Sequence, residues 1–153
     1  MPNIRQSLLI AATAKEVYDA LTTSEGLSSW WTPGASAAAV LNSSASFPFG
    51  DSYLKKMRIL ELKPLEFVKW HCVQGDSEWV GTTIGFRLLE SSNEKLLETH
   101  PEVRGQVEQS PAARGVLLTC QHDDWDSYTP MFAECSYTWG AVFEEFETVL
   151  RNR

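Results

Sequence analysis

The sequence is poor in positive charge and has no long hydrophobic run. Its 153 residues carry 13 Lys and Arg side chains against 20 Asp and Glu, a formal net charge of −7, and the basic residues form no cluster. Nucleic-acid binding needs a cationic face that displaces counterions from phosphate, and anionic membrane surfaces attract the same feature. No stretch approaches the roughly eighteen apolar residues that a membrane-spanning helix requires. We therefore expect binding to neither nucleic acid nor membranes.

The sequence also lacks the spacings that indicate disulfide, metal or nucleophile chemistry. Cys72, Cys120 and Cys135 are odd in number and widely separated, which favours reduced cysteines within a core. The three histidines and the cysteines form no ligand pattern, and His71 and Cys72 would point to opposite faces of a strand. Gly-x-Ser-x-Gly elbows and Gly-rich phosphate loops are absent. We expect no metal, no cofactor and no catalytic nucleophile.

Length and the first residues together predict one cytoplasmic domain. A chain of 153 residues with 43% hydrophobic side chains can bury one ordinary core. The start holds no long apolar stretch and no small-residue cleavage site, so it does not match a signal peptide. We predict a single domain over residues 1–153, located in the cytoplasm.

Helix signals occur near the start and at the end of the chain. Thr13 and Glu16 form a capping box before a short helix, and a second helical segment runs from Thr23 to Trp31. The strongest pattern is a terminal helix with apolar residues at steps of three and four and glutamates on the opposite side. Its apolar stripe comprises Phe132, Cys135, Trp139, Val142, Phe143, Phe146, Val149 and Leu150.

Between these helices the sequence alternates with period two and predicts strands. Turn signals such as the one at residues 50–52 separate them by short connections, which favours antiparallel neighbours. Residues 91–114 show no sustained period and predict an inserted loop in the last hairpin. The predicted strands span residues 4–10, 45–49, 55–62, 66–74, 79–90 and 115–122. The predicted inward positions are Val68, Trp70, Cys72, Val80, Thr82, Ile84, Phe86, Leu88, Leu118, Cys120 and His122.

The predicted fold class is α+β, a curved antiparallel sheet of about six strands around the terminal helix, with two short helices between strands 1 and 2.

A series of short stretches resembles one protein family. They are Val17–Leu27 ending in Trp30-Trp31-Thr32, Met57–Leu62 followed by Val68-Lys69-Trp70, Trp79–Phe86, and His122-Asp123-Asp124-Trp125 before a helix with Trp139. In this order they resemble the SRPBCC (START-like) superfamily, and within it proteins similar to the activator of heat-shock-protein-90 ATPase. The resemblance implies a helix-grip fold, often with an apolar cavity between sheet and terminal helix. It implies no single activity, because the superfamily includes lipid and hormone binders, aromatic cyclases and co-chaperone domains.

The aromatic residues predict a binding site for a hydrophobic or aromatic small molecule. They come from the second helix, the inward face of the sheet and the last helix, and ligand pockets are mostly apolar with few polar anchors. His122 is in phase with Leu118 and Cys120, so it is predicted as a polar anchor and is a weak candidate for a catalytic base. The predicted ligand-binding residues are Trp30, Trp31, Trp70, Phe86, His122, Tyr128, Phe132, Trp139 and Phe143.

Two other functions remain open at this point. A co-chaperone-like module would bind a protein through its acidic surface and exposed Trp31 or Trp125. A cavity enzyme of the cyclase or hydrolase kind would use His122 as its base. A homodimer is also compatible with the sequence, and the aromatic rings can instead fill the interior without leaving a cavity.

Overall fold

The computed structural model describes residues 3–49 and 53–151, which fold into one antiparallel sheet and a long terminal helix. The sheet has six strands in the order β1-β6-β5-β4-β3-β2, and β1 and β2 are its edges. The elements are β1 Ile4–Ile10, α1 Ala14–Thr22, α2 Ser24–Trp30, β2 Ser44–Phe49, β3 Tyr53–Lys63, β4 Phe67–Gln74, β5 Thr83–Ser92, α3 Asn93–Thr99, a 3-10 turn Pro101–Val103, α4 Arg104–Gln109, β6 Arg114–Asp123 and α5 Pro130–Arg151. The predicted α+β helix-grip architecture is confirmed. The turn predicted at residues 50–52 lies outside the described residues.

The first two helices begin where the sequence predicts. The Thr13 hydroxyl accepts from the Glu16 backbone N–H at 3.2 Å, and the Glu16 carboxylate accepts from the Thr13 N–H at 3.0 Å. Thr23 caps α2 by accepting from the Gly26 N–H at 3.0 Å. A Cβ at Gly26 would lie 2.5 Å from the Ala20 Cα, so the close contact between α1 and α2 requires glycine here.

Helix α5 packs on the concave face of the sheet through an aromatic stripe. Its buried residues, each 9% exposed or less, are Cys135, Trp139, Phe143, Phe146 and Leu150. The ring of Trp139 stacks on that of Phe143 with centroids 5.2 Å apart, and Trp30 of α2 meets Phe146 edge-on at 4.4 Å. Burial of each large side chain contributes roughly 1.5–3 kcal/mol, so this stripe contributes substantially to the stability of the fold. Of the helices described, none is long and apolar enough to cross a lipid bilayer.

Strand β5 begins four residues later than predicted. Residues 79–82 form a turn. The Trp79 N–H donates to the backbone oxygen of Asp76, and the Thr82 N–H donates to that of Trp79, both at 2.9 Å. Val80, predicted to face inward, is therefore 48% exposed, whereas Ile84 and the inward residues after it are buried. The period-two pattern continues by coincidence through a turn that the positive φ of Gly81 permits.

The prediction of an inserted loop at residues 91–114 was wrong in one respect, because most of this segment is helical. Helices α3 and α4 lie on the outer face of the sheet, opposite α5. Leu96 and Val103 pack there with Leu9 and Leu117, which pair across β1 and β6. Helices of six and seven residues are too short to establish a sequence period, so the pattern alone could not reveal them.

The inserted segment also covers the exposed edge of β1. The Gln106 side-chain amide accepts from the Leu9 N–H at 2.7 Å and donates to Ser7 O at 3.1 Å. These are the two bonds that one residue of a parallel neighbouring strand would make. Gln106 therefore occupies two backbone groups of β1 that another chain could otherwise use to extend the sheet.

We expect Gln106→Ala to lower the free energy of unfolding by about 1–2 kcal/mol, because two backbone groups of β1 lose their partner. Hydrogen exchange at the Leu9 amide should become faster, and sedimentation at high concentration should show increased self-association. Gln109→Ala, at the exposed end of the same helix, is the matched control. Equal stability and equal exchange rates in the two variants would contradict this role.

Candidate functional site

The middle of the space between sheet and α5 is filled by aromatic rings. Trp30, Trp70, Phe86 and Phe143 are each 5% exposed or less. Trp70 packs edge-on against Phe86 with centroids 4.9 Å apart, and the Trp30 indole N–H donates to Ala20 O at 2.8 Å. These four predicted binding residues therefore form the core in this structure.

A cavity remains beside the first half of α5. Its volume is about 160 Å³, and we call it the tryptophan cavity. Trp79, Cys135 and Trp139 are buried and form its floor, and the partly exposed remainder forms a rim that opens to solvent. Its lining consists of Trp31, Phe49, Lys55, Trp79, Cys135, Thr138, Trp139 and Val142.

Lys55 places a cation on the aromatic wall of this cavity. Its Nζ lies 3.2 Å from the ring centroid of Trp79 and 5.2 Å from that of Phe49, which is cation–π geometry. Burial lowers the pKa of Lys55, and the nearby Cys135, Cys72 and Asp76 oppose that shift. Lys55 is the charged group that a ligand in the cavity would meet.

The cysteines near the cavity are buried and have raised pKa values. The Trp79 indole N–H donates to the Cys135 sulfur at 3.0 Å, and burial raises the pKa of the Cys135 thiol. Burial also raises the pKa of Cys72 and that of Cys120. Neutral thiols are poor nucleophiles and poor metal ligands. Across residues 3–49 and 53–151, no three His, Cys, Asp or Glu side chains are placed to hold a metal ion.

His122 is fully buried and both of its ring nitrogens have partners. The Thr82 hydroxyl donates to Trp79 O at 2.6 Å, so it accepts from His122 Nε2 at 2.9 Å. The Trp139 indole N–H donates to His122 Nδ1 at 3.1 Å. These bonds fix the neutral tautomer with its proton on Nε2. Burial first, and the charge of Lys55 second, lower the pKa of His122 to about 3.

This arrangement does not suit a catalytic base. A general base must reach a substrate proton, and its pKa should lie near the working pH. His122 reaches neither the tryptophan cavity nor solvent, and it stays neutral throughout the physiological range. Its role here is to join β6, the turn before β5, and α5.

The remaining residues that were predicted to bind a ligand or a partner lie in different surroundings. Trp31 and Trp139 line the tryptophan cavity. Phe132 packs edge-on against Trp125 with centroids 5.3 Å apart, and Tyr128 is 80% exposed. Trp125 is 1% exposed, so the predicted contact between Trp125 and a partner protein is wrong.

Sequence reasoning missed the polar residue of the cavity, although a signal for it exists. Lys55, Met57 and Ile59 share one face of β3, and the last two are fully buried. A lysine in phase with two inward apolar residues indicates a cation turned toward the core. Phe49, Trp79 and Thr138 carry no comparable signal, because only the tertiary structure brings their three segments together.

The buried neutral His122 predicts a loss of stability in acid. Its pKa of about 3 lies below the value near 6.5 of an unfolded histidine. Its stabilising contribution is therefore complete above the unfolded pKa and is lost as the pH falls from about 6.5 toward 3. Between pH 7 and 5 this loss amounts to about 2 kcal/mol.

Chemical denaturation of wild type and His122→Gln at pH 7 and pH 5 measures this contribution. The glutamine can keep both hydrogen bonds without titrating. The carboxylates are the same in both proteins, so their contribution to the pH dependence of stability cancels in the comparison. The wild type should lose about 1–2 kcal/mol more than the variant. An equal pH dependence in both would show that His122 does not titrate as its burial requires.

Comparison with known proteins identifies the family. The family model for "Activator of Hsp90 ATPase homolog 1-like protein" matches residues 11–151. The chain is similar to the solution structure of the Aha1 dimer from Colwellia psychrerythraea, with 25% identity and a TM-score of 0.76 over 99% of this chain and 97% of that one. It shares its fold with a Mesorhizobium loti protein (13% identity, TM-score 0.70, 99% and 98% covered) and a Bacillus halodurans protein (15% identity, TM-score 0.70, 98% and 97% covered).

No curated protein sequence matches the chain. The family match covers most of its length, from the end of β1 to the end of α5. This chain belongs to the family of Activator of Hsp90 ATPase homolog 1-like proteins.

Proposed function

We propose that this chain binds a small aromatic or apolar molecule in the tryptophan cavity. The observation that carries the proposal is the cavity itself, a space of about 160 Å³ between sheet and α5. A cavity of about 150 Å³ lined by apolar side chains is known to hold benzene. The tryptophan cavity therefore suits a ligand of one aromatic ring or a similar aliphatic group.

The size of the cavity excludes larger ligands. Pockets for drug-sized molecules occupy roughly 300–1,000 Å³ and bury most of the ligand surface. The tryptophan cavity is smaller, and the rings of Trp70, Phe86 and Phe143 fill the space into which it would otherwise extend. We infer that ligands of lipid or steroid size do not fit while those rings stay in place.

The walls of the cavity set the chemistry of the ligand. Trp31, Trp79 and Trp139 present flat apolar faces, and Trp31 and Trp139 lie with ring centroids 5.4 Å apart. Lys55 and the exposed Thr138 supply polar groups at the rim. The arrangement favours a ring inside with a hydrogen-bond acceptor directed outward.

Binding can be followed by NMR with benzyl alcohol as the probe. Trp79 and Trp139 line the cavity, and their indole N–H groups donate to Cys135 and His122, so the signals of these N–H groups should shift on titration. Thr138→Phe should narrow the entrance and weaken binding about tenfold or more, which corresponds to at least 1.4 kcal/mol.

The matched control is Thr99→Phe, the same substitution at an exposed site of α3 on the other face of the sheet. It should leave the affinity unchanged. Equal affinity in wild type and Thr138→Phe would place the probe elsewhere, and unchanged indole signals would refute binding in the cavity.

A second candidate function, binding of a chaperone related to heat-shock protein 90, rests on the family and on one surface. Tyr128 and Tyr137 are 80% and 77% exposed at the start of α5. Together with Pro130 and Phe132 they line an open depression. Exposed tyrosines are enriched in protein interfaces because they combine a large apolar area with a polar end.

Replacement of Tyr128 and Tyr137 by serine tests this candidate. Calorimetry with heat-shock protein 90 should show binding to the wild type and a loss of about tenfold or more in the double variant. Leu89→Ser, at an exposed apolar residue of β5, is the control. The Colwellia relative is described as a dimer, so sedimentation of wild type and double variant would show whether the surface instead binds a second copy.

A further inference from the structure

We propose that Lys55 forms a reversible imine with a small aldehyde or ketone bound in the tryptophan cavity. The proposal rests on the proposed function and names the chemical class of its ligand, a carbonyl compound of about one ring. It adds a covalent step to what would otherwise be simple apolar binding.

The first support for imine formation is the position of Lys55. Its Nζ stands against the ring of Trp79, at 3.2 Å from the centroid, and the side chain lines the cavity. No described carboxylate lies within 4.0 Å of this nitrogen. The ammonium is therefore held by aromatic faces, including that of Tyr53 at 5.9 Å, and no ion pair among the described residues fixes its charge.

The surroundings of Lys55 increase the share of free amine. Burial lowers its pKa, and the facing groups that oppose the shift are Cys135 on α5, Cys72 on β4 and Asp76 in the turn after β4. Both thiols are neutral because burial raises their own pKa values, and His122 behind them is neutral too. Desolvated lysines of this kind are the ones that react with carbonyl groups.

The reaction needs no reagent beyond the amine and the carbonyl compound. The lone pair of Nζ attacks the carbonyl carbon, a C–N bond forms, and the carbonyl oxygen gains a proton while the nitrogen loses one. The resulting carbinolamine then loses water by cleavage of its C–O bond, which leaves the C=N bond. The proton can pass between nitrogen and oxygen through solvent, because the rim of the cavity is open.

Reductive trapping tests the proposal on the intact protein. Benzaldehyde with sodium cyanoborohydride at neutral pH should place one benzyl group on the chain, and peptide mapping should locate it at Lys55. Lys55 should react roughly tenfold or more faster than Lys63, the exposed lysine at the end of the same strand, because cavity binding positions the aldehyde. Excess benzyl alcohol should slow labelling of Lys55 and leave that of Lys63 unchanged.

Two variants separate imine formation from simple binding. Lys55→Arg keeps the cation against Trp79 but cannot form the imine, so the fast labelling should disappear while benzyl alcohol still shifts the indole signals. Lys63→Arg should label like the wild type.

Three outcomes are distinguishable. Fast labelling at Lys55 that benzyl alcohol slows supports the proposal. Uniform slow labelling of all lysines, with benzyl alcohol still bound in the cavity, overturns the imine and keeps the proposed function. Uniform labelling together with unchanged indole signals overturns both.

Discussion

The packing of the aromatic stripe of α5 against the sheet is the interaction on which the rest of the structure depends. Trp139, Phe143 and Phe146 supply the largest buried surfaces of the helix and contact rings from α2 and from the sheet. His122 adds two directional hydrogen bonds to this apolar contact. Its neutral ring accepts a hydrogen bond from Trp139 and donates one to Thr82, which fixes the rotation of the helix relative to β6 and the turn before β5.

The same packing decides where space remains beside α5. Along the second half of α5, Phe146 and Leu150 meet the core directly, whereas an open groove lies between another side of the helix, β1 and α4. Toward its N-terminal end the helix offers Cys135 and Thr138, whose small side chains leave the tryptophan cavity between them and β3. The space that the tryptophan cavity leaves between the sheet and the gripping helix has the volume of about one aromatic ring.

Polar groups in this protein are placed with a clear division of roles. His122 is enclosed, fully bonded and held neutral, so it contributes to structure and not to chemistry. Lys55 stands at a rim, has aromatic partners and keeps access to the cavity. Gln106 acts on the opposite side of the sheet, where it completes the edge of β1. The burial of each group and its bonding partners determine whether it serves structure or remains accessible to a ligand.

The sequence by itself determined the elements that have strong local signals. The capping box at Thr13, the alternation of Val68, Trp70 and Cys72, and the stripe of α5 predicted the sheet, the two early helices and the gripping helix. Local patterns suffice there because hydrogen bonding and burial follow the periods of strand and helix. The series of family-like stretches pointed to the same fold.

Only the tertiary structure decided which rings form the core and which line a cavity. Trp30 and Trp31 are neighbours in sequence, yet one is core and the other lines the tryptophan cavity. Whether facing side chains touch or leave a gap depends on distances between elements, and no period along the chain encodes those distances. The same holds for α3 and α4, whose few apolar residues acquire a partner only when Leu9 and Leu117 are brought side by side on the outer face of the sheet.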